Sequence, residues 1–266
     1  MSIDEINKMA TEGQIEKNKD GSHSCKGDLV FSDSRCLTSL PKNLEVYGCL
    51  DIIGCDSLAS LPLGLRVRKS LYIRNCESLA FILEGLEVGE NLQITNCGLL
   101  SSIHSGLKVR KSLYIQNCKS LASLTDEIGV LENIYIIGCD LLTSLSSGLT
   151  IGKSLHLENC KSLGSLPDGL TVPMNFHIIG CDSLISIPYS LNIGRSLYIK
   201  NCKTIGSVAD DLKVEGKIKI KDCPSLKFVP DSVNLTNSVE TDITVQVIKP
   251  ISFGYKSDFL KALESI

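Results

Sequence analysis

Cysteine is the residue that first invites a chemical reading. Twelve occur in 266 residues, and nine of them stand at Cys55, Cys76, Cys97, Cys118, Cys139, Cys160, Cys181, Cys202 and Cys223, each 21 residues from the last. Metal binding and disulfide exchange could both use such a set, but the spacing fits neither. Zinc ligands come in close pairs, and the disulfide frameworks of small secreted domains are irregular. Even spacing is the mark of stacked repeats. With one cysteine per coil, the thiols form a ladder with steps of about 5 Å whose side chains point in parallel. They are expected to be buried, reduced and no more than weak S–H donors. Cys25, Cys36 and Cys49 fall outside the ladder and are expected to be more exposed.

His156, Glu158 and His177 are a second candidate. Adjacent strands would bring the two imidazoles to about 5 Å, and two histidines with a carboxylate are a possible zinc set. The set rests on one histidine pair, and nothing in the sequence supplies groups to orient it. No metal or cofactor is therefore expected. There is no nucleophile elbow, no H-E-x-x-H and no phosphate-cradling glycine loop, because serine and glycine recur with the repeat. None of His23, His104, His156 and His177 has an acid and a nucleophile at a suggestive spacing. The expectation is a protein without catalytic activity or a small-molecule substrate.

What positions these residues is the repeat itself. Apolar residues make up 43% of the chain, aromatics 5%, and Trp is absent, so the core must be aliphatic and disorder throughout is excluded. Aligned on the period, ten units begin at Leu29, Leu50, Leu71, Leu92, Leu113, Ile134, Leu155, Phe176, Leu197 and Ile218, covering residues 29–238. Positions 1, 3, 9, 12, 16 and 18 are apolar in every unit, as in Leu92, Ile94, Leu100, Ile103, Leu107 and Val109. Positions 1 and 3 alternate with polar or aromatic residues at 2 and 4, the signature of a short strand with one buried face. Position 5 is Asn, Gly or Asp throughout, the types that best tolerate positive φ, so a left-handed corner is expected after each strand. The return half, as in Leu163 to Val172, carries recurrent Pro and Gly and is too short for a capped helix. It is read as extended. The fold class is a mainly β repeat solenoid with a parallel sheet and short helical caps, on the order of 50 Å long.

The run S-L-Y-I-R-N-C-E-S-L, Ser70 to Leu79, resembles a leucine-rich repeat of the form L-x-L-x-x-C-x-x-L. The following L-P-x-G-L-x-V resembles the short repeats of bacterial leucine-rich repeat effectors. The resemblance covers about four-fifths of the chain, 210 of 266 residues. It departs from those effectors in carrying Cys where they usually have Asn, with one extra residue before the next Leu. The resemblance implies an arc whose concave sheet binds a protein. It does not carry over the ligase activity some such effectors have, since only 28 residues follow the last unit.

The whole chain, 1–266, is read as one domain. Residues 1–28 supply a helical cap and a polar loop, the helix over 2–12 with Ser2 and Glu5 at capping-box spacing. Residues 239–266 supply a degenerate strand from Val239 to Val247 and a helix starting at Ser257. No stretch of 18 or more unbroken apolar residues and no signal-peptide h-region are visible. A reducing, cytoplasmic setting is expected, or delivery to a host cytosol without a Sec signal.

Positions 2 and 4 point out of the sheet and are free to vary. Position 2 carries Tyr72, then an aromatic run through Tyr114, Tyr135, His156, His177 and Tyr198. Position 4 adds Ile137, Glu158, Ile179 and Lys200. Aromatic anchors on a rigid surface ringed by charge are the usual composition of a protein-binding hot spot, so these ten residues are the candidate partner site. Tyr and Ile are also good strand formers, which is the plainer account of the same run. The alternative site is the lysine-rich last coil, Lys213, Lys217, Lys219, Lys221 and Lys227, which could meet anionic membrane or nucleic acid but lacks an aromatic platform. Lys69, Lys111, Lys153 and Arg195 recur at position 20 of alternate units, with Glu90 and Glu132 between them, and are read as alternating charge on a solvated edge. The inward assignment has a direct consequence: Leu121→Ala, in mid-stack, is expected to cost about 2–5 kcal/mol in chemical denaturation. A cost below about 1 kcal/mol would place Leu121 outside the core.

Overall fold

The alternation at the start of each unit becomes a strand. In the computed structural model, which describes residues 2–227, 229–230, 233 and 239–241, ten four-residue strands from Leu29–Ser32 to Ile218–Lys221 begin at the ten unit starts. Each pairs in parallel with the segment 21 residues on, and Val239–Thr241 adds an eleventh strand. The remainder of the expected Val239–Val247 strand and the helix from Ser257 lie outside the described residues. Positions 1 and 3 are buried in all ten strands, and positions 2 and 4 face outward. Coils are numbered below from Leu29.

Every position 5 adopts the left-handed backbone, from Asp33 at φ +50° to Asp222 at +54°. Two side-chain arrangements hold this corner. Where Asn follows Asn, the amides bond coil to coil: Asn96 Nδ2 donates to Asn75 Oδ1 at 3.0 Å, and Asn117 Nδ2 to Asn96 Oδ1 at 3.1 Å. Where Gly follows Asp or Asn, the earlier side chain lies over the glycine. A Cβ at Gly54, Gly138 or Gly180 would come within 2.3, 2.7 and 2.5 Å of Asp33, Asn117 and Asn159 Oδ1.

The next residue, cysteine, turns inward. All nine ladder cysteines are fully buried, and none of the twelve cysteines is in a disulfide. Their sulfurs donate to the carbonyl two residues back, as Cys76 does to Arg74 at 3.5 Å. Burial pushes the Cys55 and Cys139 thiols up to about 11. A hydrogen bond to Cys97, with burial, raises Cys76 well above the ordinary thiol range. Such thiols are poor nucleophiles. Of the three outside the ladder, Cys36 is exposed and Cys49 partly so, but Cys25 is buried, contrary to expectation.

Cys25 is buried as the last residue of a strand in the N-terminal segment. The polar stretch 13–27 is not simply a loop: Glu16–Lys17 and His23–Cys25 form an antiparallel hairpin. Its second strand pairs in parallel with Leu44–Val46 and so covers the edge of a return sheet that would otherwise be open. Helix α1, Ile3–Met9, has Ser2 as N-cap in a complete capping box with Glu5, and Ile6 is buried against the first coil.

The return half is extended, with two-residue strands at positions 11–12 and 17–18 in most coils. The strands at 17–18 continue from Leu44–Val46 to Thr150–Ile151, stop, and resume as Thr171–Val172, Asn192–Ile193 and Lys213–Val214. The cause is visible one residue later. From Arg68 to Glu215 the N–H at position 19 donates to the position-18 carbonyl one coil back at 2.8–3.0 Å, except in coil 7, where position 19 is Pro173 and has no N–H. The strands at 11–12 also lapse there, with a single bridge between Ser123 and Ser144. The long sheet runs through unbroken.

A polar ladder at position 21, just before each long strand, completes the coil. Ser70, Asn91, Ser112, Asn133, Ser154, Asn175 and Ser196 alternate, and each side-chain oxygen accepts the N–H of position 21 in the next coil at 3.1–3.4 Å. Asp28 Oδ1 begins the series on Cys49 N at 2.7 Å. Asn133→Ala leaves the Ser154 N–H without its acceptor. It is expected to cost roughly 1–3 kcal/mol in chemical denaturation, with Asn133→Asp losing less.

Candidate functional site

The outward positions of the long sheet bring most of the candidate residues into one row. Tyr114, Tyr135, His156, His177 and Tyr198 are direct cross-strand partners in consecutive strands. Their rings form a continuous stack. Tyr114 and Tyr135 are parallel within 1° at 4.8 Å between centroids, and His177 and Tyr198 within 12° at 4.5 Å. The middle steps are tilted: Tyr135 to His156 by 41° at 5.8 Å, and His156 to His177 by 38° at 5.5 Å. All five are half-buried, with the closest overlap in the Tyr114–Tyr135 and His177–Tyr198 pairs.

Beside this row lies a second at position 4: Gln116, Ile137, Glu158, Ile179 and Lys200, again in register. Glu158 bonds to His156 Nε2 through Oε2 at 2.9 Å, a contact within the strand that ties the two rows together. Ile137 and Ile179 flank that carboxylate, half-buried on an outward face. Lys200 is exposed at the end of the row. Tyr72 stands apart: Gln93 separates it from Tyr114, and the Arg74 guanidinium lies 5.0 Å from its ring centroid.

Asp51, not among the candidates, shares the face at the N-terminal side. Its Oδ1 is buried with no hydrogen-bond partner among the described residues, and burial raises its pKa despite the nearby Arg74. Its position 2 placement was visible in sequence, whereas its surroundings depend on Asp28 and Glu12, which precede the first unit.

His156 Nε2 is engaged by Glu158 at 2.9 Å, and the two imidazole rings are tilted by 38° with their centroids 5.5 Å apart. Among the described residues no three His, Cys, Asp or Glu side chains are grouped to hold a metal ion. A histidine–carboxylate pair could also serve as a general base, but among the described residues neither imidazole is hydrogen-bonded to a hydroxyl or thiol. What the row offers is a rigid strip of ring edges and apolar flanks.

No family model matches the chain, and comparison with curated proteins and with solved structures gives no match. Among the described residues, no helix is long and apolar enough to cross a membrane.

His177 carries a pH signature. Burial first, and then the neighbouring His156, lower its pKa from 6.5. The folded chain therefore favours neutral His177 more than the unfolded chain does. Its contribution is complete above about pH 6.5, the unfolded value, and is lost as pH falls towards the lowered folded value. The drop in Tm between pH 7.5 and pH 5.5 is expected to be smaller in His177→Phe, which keeps a ring against Tyr198. An equal drop in both proteins would remove His177 as the cause.

Proposed function

We propose that the chain is a non-catalytic binding scaffold of the leucine-rich repeat type, which holds a partner protein on the outward face of its long sheet. The observation that carries this reading is the unbroken row of rings from Tyr114 to Tyr198 with Ile137 and Ile179 beside it. Nothing in the repeat demands aromatic or aliphatic groups at those outward positions, since Gln93, Thr95 and Gln116 occupy equivalent places. A strip of this kind is already ordered, so little side-chain entropy remains to be lost on binding. The stacking also narrows the partner. Nucleic-acid bases and sugar rings bind aromatic faces, and here the Tyr114–Tyr135 and His177–Tyr198 pairs turn faces to each other. Ring edges, tyrosine hydroxyls and the Glu158 carboxylate suit the mixed apolar and polar side chains of a protein. No cofactor enters this reading.

The lysine-rich last coil supports an electrostatic role less well. Lys219 pairs with Glu240 at 3.0 Å, and the hydrogen bond and charge of Lys219, with Lys221 and Lys217, lower the Glu240 pKa, so part of the positive charge is already offset. Twelve cysteines outside any disulfide, ten of them buried, fit a reducing compartment, in keeping with an effector delivered to a host cytosol or a resident cytoplasmic protein.

The test is a pull-down from eukaryotic cytosolic lysate at moderate and high salt. The wild type is compared with the triple variant Tyr114→Ala, Tyr135→Ala, His177→Ala, whose fold is first checked by circular dichroism. A protein retained by wild type at both salts and lost by the variant is the expected outcome. Retention by both baits removes the aromatic row as the working surface, and loss of all partners at high salt favours the lysines.

A further inference from the structure

The charge columns on the return side contain one gap. In column 17, Arg66 and Lys108 flank Glu87, whose carboxylate lies 3.3 Å from Arg66 and 3.9 Å from Lys108. In column 20, Lys69 and Lys111 flank Glu90, with Lys111 bonded to it at 3.0 Å. The same three coils place Arg68 and Arg110 in column 19, and between them stands Gly89. Two neighbouring columns thus set an acid between their bases, and this one sets no side chain at all. The chain cannot supply one: a Cβ at Gly89 would lie 1.9 Å from the Arg68 carbonyl oxygen.

The gap is the floor of a shallow recess of about 370 Å³, lined by Arg66, Arg68, Glu87, Gly89, Lys108 and Arg110 together with Val67 and Val88. Four of those eight residues are basic, on a chain in which 27 of 266 are, so the clustering is not the background composition. Glu87 offsets Arg66 and Lys108. Arg68 is held from the far side by Glu45 and lies 6.0 Å from the Tyr47 ring centroid, which fixes its fork. Among the described residues no ion pair involves Arg110, whose side chain is exposed.

We infer that this recess binds an external oxyanion between Arg68 and Arg110, above Gly89, and that the group is a phosphoryl group. Two strand steps separate the arginines by about 10 Å, room for one tetrahedral anion between the open fork of Arg110 and the Nη1 side of Arg68, whose Nε and Nη2 are taken by Glu45. A carboxylate would spend both oxygens on one fork, whereas a phosphoryl group can accept from both. The recess lies on a return sheet, away from the aromatic row, and does not depend on the function proposed for that row.

Isothermal titration of the full chain at low salt tests this, with inorganic phosphate, O-phosphoserine, glycerol 3-phosphate and acetate as probes. Saturable binding of the phosphate probes and weaker binding of acetate are expected. Arg110→Ala should weaken phosphate by about tenfold, and Arg110→Lys by less, because a lysine keeps the charge without the fork. Lys111→Ala removes the same charge from the next residue but leaves the recess intact, and should change affinity by less than about twofold. O-phosphoserine bound better than inorganic phosphate would assign the source to a phosphorylated protein, and glycerol 3-phosphate bound better to a lipid headgroup. Absence of saturable phosphate binding, acetate bound as tightly as phosphate, or an equal loss in Lys111→Ala overturns the inference.

Discussion

The structure depends on one requirement: no coil can bury its own leucines, so each must lie flat against the next, 21 residues away. A coil supplies a ring of apolar side chains whose upper and lower surfaces are open. Parallel backbone hydrogen bonds along the long sheet fix the stacking distance, and the positive-φ corner at position 5 lets the chain leave that sheet without losing register. Cysteine fits the corner because the space there takes a small apolar group whose S–H can reach a local carbonyl. The burial that holds the thiols also makes them inert. The evenly spaced thiols are the inner seam of the stack, as their 21-residue period predicts.

The chemical unit is a pair of coils. Position 21 alternates Ser and Asn from Ser70 to Ser196, and position 20 alternates base and acid from Lys69 to Lys153. Position 7 alternates likewise from Lys119 to Lys203, with Lys161 on Asp140 at 3.3 Å and Lys203 on Asp182 at 2.6 Å. Each exposed pair is worth about 0–1 kcal/mol. Their shared period of two coils is more informative than their strength. Like charges would meet wherever a coil was skipped, so the alternation disfavours misaligned stacks as well as supporting the correct one.

Much of this was legible because a period of 21 forces the same residue into the same place ten times. The strand starts, the inward leucines, the left-handed corners and the capping box at Ser2 and Glu5 all follow from local rules applied repeatedly. The hairpin at Glu16–Cys25 did not follow. It lies outside the period, its residues are polar, and only the open edge at Leu44–Val46 explains why it forms a strand. The aromatic row was readable as a row, but the stacking of its ring pairs was not, because ring orientation depends on the packing of neighbours. Column 19 went unnoticed for another reason. Its signal is a glycine, and its meaning comes only from comparison with the acids in the columns on either side.

Pro173 leaves the solenoid mechanically uneven. Its missing N–H interrupts the return sheet at positions 17–18 between coils 6 and 7, where the strands at 11–12 have also lapsed, so the long sheet is the one continuous ladder across the joint, helped by separate bonds such as Gly164 N–H to the Thr143 carbonyl at 3.0 Å and Met174 N–H to the Lys153 carbonyl at 2.9 Å. Leu145, Leu149, Ile151, Leu166 and Leu170 around it are each 5–8% exposed, while their counterparts in coils 2 and 3 are at 2% or below. The 41° tilt between Tyr135 and His156 falls at the same step. A spring with one compliant segment bends there first, and it bends about the side that stays bonded. The aromatic row lies on that side and spans the segment, so any change in its curvature is concentrated in two coils, with the ring pairs at either end moving as stiff blocks.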